Sequence, residues 1–282
     1  MRTQINNQVF DEERALYHLQ HADLTQVRFA GEADGESALK EAQDIHMSDC
    51  GFSLRYPLWH TKDFSLVHCA MDETARAALW YAENGTIEES RLYGIKAVRE
   101  CRGILLTGCE IVSPEFGWKC DGLTLKATTL TAEYPFLDSR NLRLERVQLH
   151  GKYSFQYVEN AVIEHCDLDT KDAFWHSRHV TVRDSIVRGE YLGWYAEGLT
   201  LERCRIIGTQ PLCYCKDLTL IDCTMEACDL AFEYSDVHAT VRGRIDSVKN
   251  PKSGTIEADA VGEIIRDDPV IPCSGKVLLR QS

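Results

Sequence analysis

Residues 160–178, NAVIEHCDLDTKDAFWHSR, are followed by 179–197, HVTVRDSIVRGEYLGWYAE, and by 198–216, GLTLERCRIIGTQPLCYCK. These are three lines of 19 residues written to one pattern. Apolar or small residues stand at positions 2, 4, 7 and 9 of each line, and a further apolar patch stands near position 15. Runs so short and so regularly alternating suit strands and not helices. A fixed period of about 20 residues marks a solenoid, in which no repeat buries its own apolar face alone.

The pattern continues outward from these lines. Lines begin at residues 21, 44, 63, 84, 103, 122, 141, 160, 179, 198 and 217. Position 4 is apolar from Leu24 to Leu220 and position 9 from Phe29 to Met225, as inward columns of a parallel coil should be. Two departures from the period, GEADGE after Ala30 and DETARAA from Asp72, read as bulging surface corners. Position 19 runs Lys62, Glu83, Arg102, Asp121, Arg140, Glu159, Arg178, Glu197, Lys216, changing sign at every step. Alternating charges attract across neighbouring strands where like charges repel, so this column specifies an in-register stack.

The expectation is one solenoid domain over 1–282 with about eleven to twelve coils. Residues 1–20 read as an N-terminal cap, 21–236 as regular coils, and 237–282 as a C-terminal cap and tail containing the turn signal NPKSG. Net charge is −13, which argues against nucleic acid and anionic membranes as partners. No apolar run approaches the roughly 20 residues that span a bilayer. The first residues, MRTQINNQVFDEERALYHLQ, lack the layout of a signal peptide, so a cytoplasmic protein is expected. Nine of the 12 cysteines fall at positions 7 and 18, columns they share with Ser, Thr, Ala and Val. They read as small apolar packing residues with reduced thiols.

The spacing of apolar positions fits neither the six-residue cadence of left-handed hexapeptide helices nor a five-residue one. It fits a three-faced coil. The stretches YPLWHTKD (56–63), ARAALWYAEN (75–84), DAFWHSR (172–178), EYLGWYAEG (190–198), LAFEYSD (230–236) and IDSVKNPKSGTIEADAVGEII (245–265) resemble an uncharacterised bacterial family, a domain of unknown function. That resemblance covers nearly the whole chain. It implies an all-β, right-handed parallel β-helix of the pectin-lyase-like kind, and implies no activity, cofactor or catalytic residue.

All five tryptophans stand at position 16, as Trp59, Trp80, Trp118, Trp175 and Trp194, and the same count places Phe232 there. Position 16 also admits Lys40, Arg99 and Gln156, whereas position 15 never carries a charge. A buried unpaired charge is too costly for a core column, so position 15 is read as inward and 16 as outward. Position 17 adds Asp138, Tyr157, His176, Tyr195, Tyr214 and Glu233. Contiguous exposed aromatics mark an interaction surface. Rings that stack on sugar faces, beside carboxylates and tyrosine hydroxyls, would make a groove for a chain-like glycan. The candidate ligand-binding residues are Trp59, Trp80, Trp118, Tyr157, Trp175, His176, Trp194, Tyr195, Tyr214 and Phe232. The alternative is that a cap, a corner loop or a second subunit covers these aromatics.

Catalytic signals are weaker. Asp138 and His176 stand two lines apart, roughly 10 Å at the strand spacing, with Tyr157 between them, a set a proton-abstracting lyase could use; Glu233 is the third candidate. Glu145 and Glu164 share position 5 on adjacent lines, about the carboxylate separation of a retaining glycosidase, although a solvated bend explains them as well. His176 with His179 lacks a third ligand, and Cys213 and Cys215, as strand neighbours, point to opposite faces, so no metal is expected. No phosphate-cradling or dinucleotide motif occurs, so no cofactor is expected. The sequence thus favours a non-catalytic scaffold that binds an oligosaccharide or polysaccharide. It leaves open a carbohydrate-active lyase or hydrolase, and a structural protein whose tryptophan column is a homo-oligomer interface.

Overall fold

The computed structural model describes residues 1–30 and 36–280, so most of the GEADGE corner lies outside the described residues. The chain divides into two compact units, Met1–Arg143 and Leu144–Ser282. It is all-β, a right-handed parallel β-helix, and about 14 turns of about 19 residues run through it.

A turn of the second unit shows how one line becomes a coil. Strand Glu159–Glu164 pairs in parallel with Arg178–Arg183, Ala161 facing Val180 and Ile163 facing Val182. Strand Asp167–Lys171 pairs with Ile186–Arg188, Leu168 facing Val187. The third side, around 172–176, is made of turns. Partners are one line apart, so the inward columns stack like on like. Ile163 and Leu168 are 0 % exposed. The rings of Phe155 and Phe174 lie 5.0 Å apart and 8° from parallel. In the first unit Phe29 and Phe52 stack the same way at 5.2 Å and 9°.

Corners are built from left-handed residues. Position 1 holds His21, Asp44, Asp63, Asn84, Gly103, Gly122 and Asn141 in the first unit, and Asn160, His179, Gly198 and Asp217 in the second, with φ between 52° and 72°. Asn, Asp, His and Gly are the residues that tolerate this region best. At Gly208 the requirement is absolute, because φ is +131° and an added Cβ would lie 2.0 Å from the Gly189 carbonyl oxygen.

The cysteine columns do more than pack. At position 7 the Cys204 and Cys223 thiols donate to the carbonyls of Val182 and Leu201 on the preceding line, at 3.4 and 3.3 Å. Ser185 in the same column accepts from the Cys166 amide at 2.9 Å and donates to the Arg183 carbonyl. At position 18, Cys215 and Ser235 donate to the carbonyls of Gly193 and Leu212 at 3.0 and 2.6 Å. Both columns take a small side chain; several of the Cys, Ser and Thr there also donate to a nearby carbonyl, while Val and Ala only pack. All 12 cysteines are free thiols, and only Cys273 is not fully buried.

Both ends differ from the expected caps. Thr3–Asn6 pairs in register with Gln20–Thr25, Ile5 facing Leu24, so residues 1–20 form a coil of their own. Arg2 fastens that coil to the next ones through Asp23 at 2.6 Å and Asp44 at 2.7 Å. At the other end Asp236–Lys249 pairs in parallel with Ser253–Ile265, and Lys276–Leu279 pairs in turn with Thr255–Ala258. The segment read as a cap and tail thus continues the stack. Its repeat is irregular: 17 residues from Asp236 to Ser253, 16 beyond the bulge from Arg244 to Ala260, and 21 from Thr255 to Lys276.

The charge column stands as expected within each unit. Lys62 meets Glu83 at 3.4 Å and Arg140 meets Asp121 at 2.9 Å in the first. In the second, Glu159 faces Arg178, Arg178 faces Glu197, and Lys216 reaches Glu197 at 2.6 Å.

Candidate functional site

Position 16 is fixed by its indole nitrogen. Trp175 donates to the Tyr191 carbonyl at 2.7 Å, Trp194 to the Gln210 carbonyl at 2.8 Å, and Trp118 in the first unit to the Tyr134 carbonyl at 2.6 Å. The acceptor is always position 13 of the following line. Gln156 reaches the corresponding carbonyl, Asp172, at 3.4 Å. The indole nitrogens of Trp59 and Trp80 are buried without a partner among the described residues. The tryptophans are half-buried. Trp175 and Trp194 stack at 5.5 Å and 5°, and Trp59 and Trp80 at 5.9 Å and 20°.

The charged members of the column belong to the same ladder. The Lys40 ammonium lies 4.2 Å from the Trp59 ring centre, and the Arg99 guanidinium lies 5.6 and 5.5 Å from Trp80 and Trp118. Their presence in the column therefore reflects cation–π contact with the neighbouring rings as well as outward exposure.

Position 17 is more open. Tyr157, His176, Tyr195 and Tyr214 form one continuous stack in the second unit, with centroids 5.0, 5.0 and 4.9 Å apart and planes 10°, 7° and 14° from parallel. Each takes φ near +55–60°, which turns the side chain out at the corner. Tyr157 and Tyr195 are 54 % and 46 % exposed, His176 is exposed and Tyr214 half-buried. Burial, and then the neighbouring Glu233 carboxylate, raise the Tyr214 hydroxyl above its ordinary value. A shorter pair, His60 and Tyr81 at 4.9 Å and 17°, occupies position 17 of the first unit.

Within this stack both faces of His176 and Tyr195 are covered by the next ring. Sugar stacking on open ring faces, the mode the sequence suggests, is closed to them. What they present to solvent is a row of ring edges, carrying hydroxyls and an imidazole at a step of about 5 Å.

Phe232 does not belong to this surface. One extra residue near Ala227 shifts the frame, so the Phe232 amide bonds the Pro211 carbonyl as an inward position-15 residue would, and its side chain is 0 % exposed. Glu233 then takes position 16 and Tyr234 position 17, with Tyr234 5.7 Å from the Tyr214 ring. This shift was visible only as a loss of pattern after Tyr234.

Of the acid–base candidates, His176 and Glu233 are not brought together. Asp138 is exposed and lies in the first unit; His176 and Glu233 lie in the second. Glu233 is only 14 % exposed and paired with Lys249 at 2.9 Å, which raises the Lys249 ammonium above its ordinary value. It stands three lines from His176, about 14 Å at 4.8 Å per line. Glu145 is paired with Arg146 at 2.5 Å and Glu164 with Arg183 at 3.3 Å, and Arg183 also reaches Glu202 at 3.0 Å. Arg183 thus bridges Glu164 and Glu202 on the bend, while Glu145 has its own arginine partner. Among the described residues no three His, Cys, Asp or Glu converge as metal ligands, and no helix is long and apolar enough to cross a membrane.

Solved structures similar to this chain include a periplasmic alginate epimerase, AlgG, at 12 % identity over 92 % of this chain and 76 % of that one, with a TM-score of 0.38. The A-module of the Azotobacter vinelandii mannuronan C-5 epimerase AlgE6 matches at 12 % identity over 94 % and 90 %, with a TM-score of 0.39. The plasmid-mediated fluoroquinolone resistance protein QnrB1 matches at 14 % identity over 86 % and 92 %, with a TM-score of 0.18. Likenesses this distant transfer no activity. No curated protein matches the sequence. A family model does match, over residues 3–277, nearly the whole chain, and the chain therefore belongs to the protein family of unknown function DUF3737.

Proposed function

We propose that this protein is a non-catalytic scaffold that binds a chain-like carbohydrate along Tyr157, His176, Tyr195 and Tyr214. The observation that carries this reading is the stack itself, four rungs at 4.9–5.0 Å with planes within 14° of parallel and outer edges exposed. A regular row of hydroxyl and imidazole groups offers one donor or acceptor per step to a polymer of repeating hydroxyls. The rings are locked by their neighbours, so little side-chain entropy is lost when a ligand docks. Scaffold rather than enzyme is supported by Glu233 being tied to Lys249 and by Glu145 and Glu164 each being paired with an arginine of its own. Twelve free thiols suit a reducing, cytoplasmic setting.

Titration with neutral and acidic oligosaccharides of increasing length, followed by tryptophan emission, tests the reading. Trp175 and Trp194 stand beside the row and report on it. Affinity should grow with length and fall for Tyr195→Phe and His176→Ala. An oligosaccharide panel that gives no response sinks the proposal. If instead the protein is an oligomer that Tyr195→Arg dissociates, the row is a contact between copies.

A further inference from the structure

We infer that the first unit carries a second binding site, a trough for a short linear ligand with an anionic group at each end and a hydroxyl-rich middle. It goes beyond the aromatic row and shares no residue with it.

Positions 8 and 10 of a line lie on the outer side of the second strand. In two consecutive lines both are small: Gly51 with Ser53, then Ala70 with Asp72. A Cβ at Gly51 would meet only the Arg28 Cγ, at 3.9 Å, so the floor is open. The lines on either side place long cations in the same column. Arg28 is in register with Gly51, Gly51 with Ala70, and Ala70 with Arg91. The cavity between them is about 580 Å³. Three rung steps separate the two arginines, about 14 Å at 4.8 Å each.

The arginines are chemically available. Elsewhere a position-8 arginine is held, as Arg205 is by Glu226 at 2.7 Å. Arg28 and Arg91 are exposed and have no side-chain hydrogen bond or ion pair among the described residues. A guanidinium fork binds a carboxylate through two parallel hydrogen bonds, so each end of the trough suits one such group.

The walls choose the middle. Asp72 accepts from Ser53 Oγ at 2.5 Å and from the Thr74 amide at 2.9 Å, which also closes the DETARAA corner against the trough. On the other side stand Asp49 and His68, whose imidazole is 2.8 Å from Glu89. Carboxylates at mid-length repel a third anion and accept hydrogen bonds from hydroxyls. The same wall acids disfavour a plain hydrocarbon middle, which would leave them dehydrated and unpaired.

Two sources share the end-group chemistry: aliphatic dicarboxylates and oligosaccharides bearing a uronic acid at each end. Calorimetric titration of the full chain with dicarboxylates from adipate to tetradecanedioate, and with such oligosaccharides, separates them. Affinity should peak at one length, the hydroxylated ligand should bind tighter than the aliphatic one of equal span, and added salt should weaken both. Arg28→Gln and Arg91→Gln should each reduce affinity roughly ten- to hundredfold, and Arg28→Lys should recover only part. Ala70→Leu, which fills the floor, should abolish binding while circular dichroism and melting stay unchanged. Tyr195→Phe should have no effect here, so failure of this site and failure of the aromatic row are read apart. Affinity indifferent to ligand length, or unaltered in both glutamine variants, overturns the inference.

Discussion

Replacing Trp194 decides whether the tryptophan column is scaffold or site. Its ring lies 5.5 Å from Trp175, 5.4 Å from Tyr191 and 5.3 Å from Tyr214. Aromatic pairs contribute about 0.5–1.5 kcal/mol each beyond area burial. The indole N–H to the Gln210 carbonyl adds about 1 kcal/mol net. Trp194→Ala should therefore cost about 3–5 kcal/mol, the range found for truncating large aromatics in cores. Trp194→Phe keeps a ring in the stack and loses the donor, so about 1 kcal/mol is expected. A solenoid opens locally, so one melting temperature reads this poorly. Native-state hydrogen exchange at the Gly193, Tyr195 and Leu212 amides, all bonded between adjacent lines, reads it directly. Protection should fall roughly a hundredfold or more for Trp194→Ala and about fivefold for Trp194→Phe. If the alanine variant keeps its protection within a factor of two, the column is not structural and is free to serve a ligand.

Other outcomes follow from single features. Gly208→Ala forces a Cβ to within 2.0 Å of a carbonyl oxygen on the previous line, so it should prevent soluble expression or unfold the surrounding coils; a normal melt would contradict that. Arg2, and after it His21, hold the Asp44 carboxyl down to about 2 from the ordinary 3.8. A carboxyl lowered in the folded state stabilises it above 3.8 and loses that effect as pH falls toward 2. Amides of Thr3–Asn6 should therefore lose protection across that window, and Arg2→Ala should weaken the dependence, leaving the part due to His21. In native protein a thiol reagent should label Cys273 first, because burial covers the others and lifts the Cys213 thiol to about 12; several equally fast thiols would contradict this.

The coil was legible because inward positions admit no exceptions: Leu24 to Leu220 at position 4 needs only counting. The charge column gave the register by the same means. The N-terminal coil is hard to read because TQIN has one inward residue, Ile5, and the C-terminal coils because their steps of 17, 16 and 21 residues break the count. Phe232 was misplaced by a single inserted residue that no composition rule marks. Membership of the tryptophans in one column was readable, but ring orientation was not, since it depends on an indole N–H finding a carbonyl one line away. The trough was silent for another reason: Gly51 and Ala70 contribute by having almost no side chain. The run of Asp, Asn, His and Gly at position 1 spells out the left-handed corners in the sequence itself.

The alternating charges at position 19 also constrain how such a chain can grow or shrink over generations. Removing residues 179–197 would leave every apolar column aligned, yet it would set Arg178 against Lys216 in place of Glu197. Removing two successive lines would restore opposite signs. The smallest segment that can be duplicated or deleted without a clash is thus a pair of coils, although the visible repeat is one. Lineages of this scaffold should then differ in length by even numbers of coils wherever the ladder is intact.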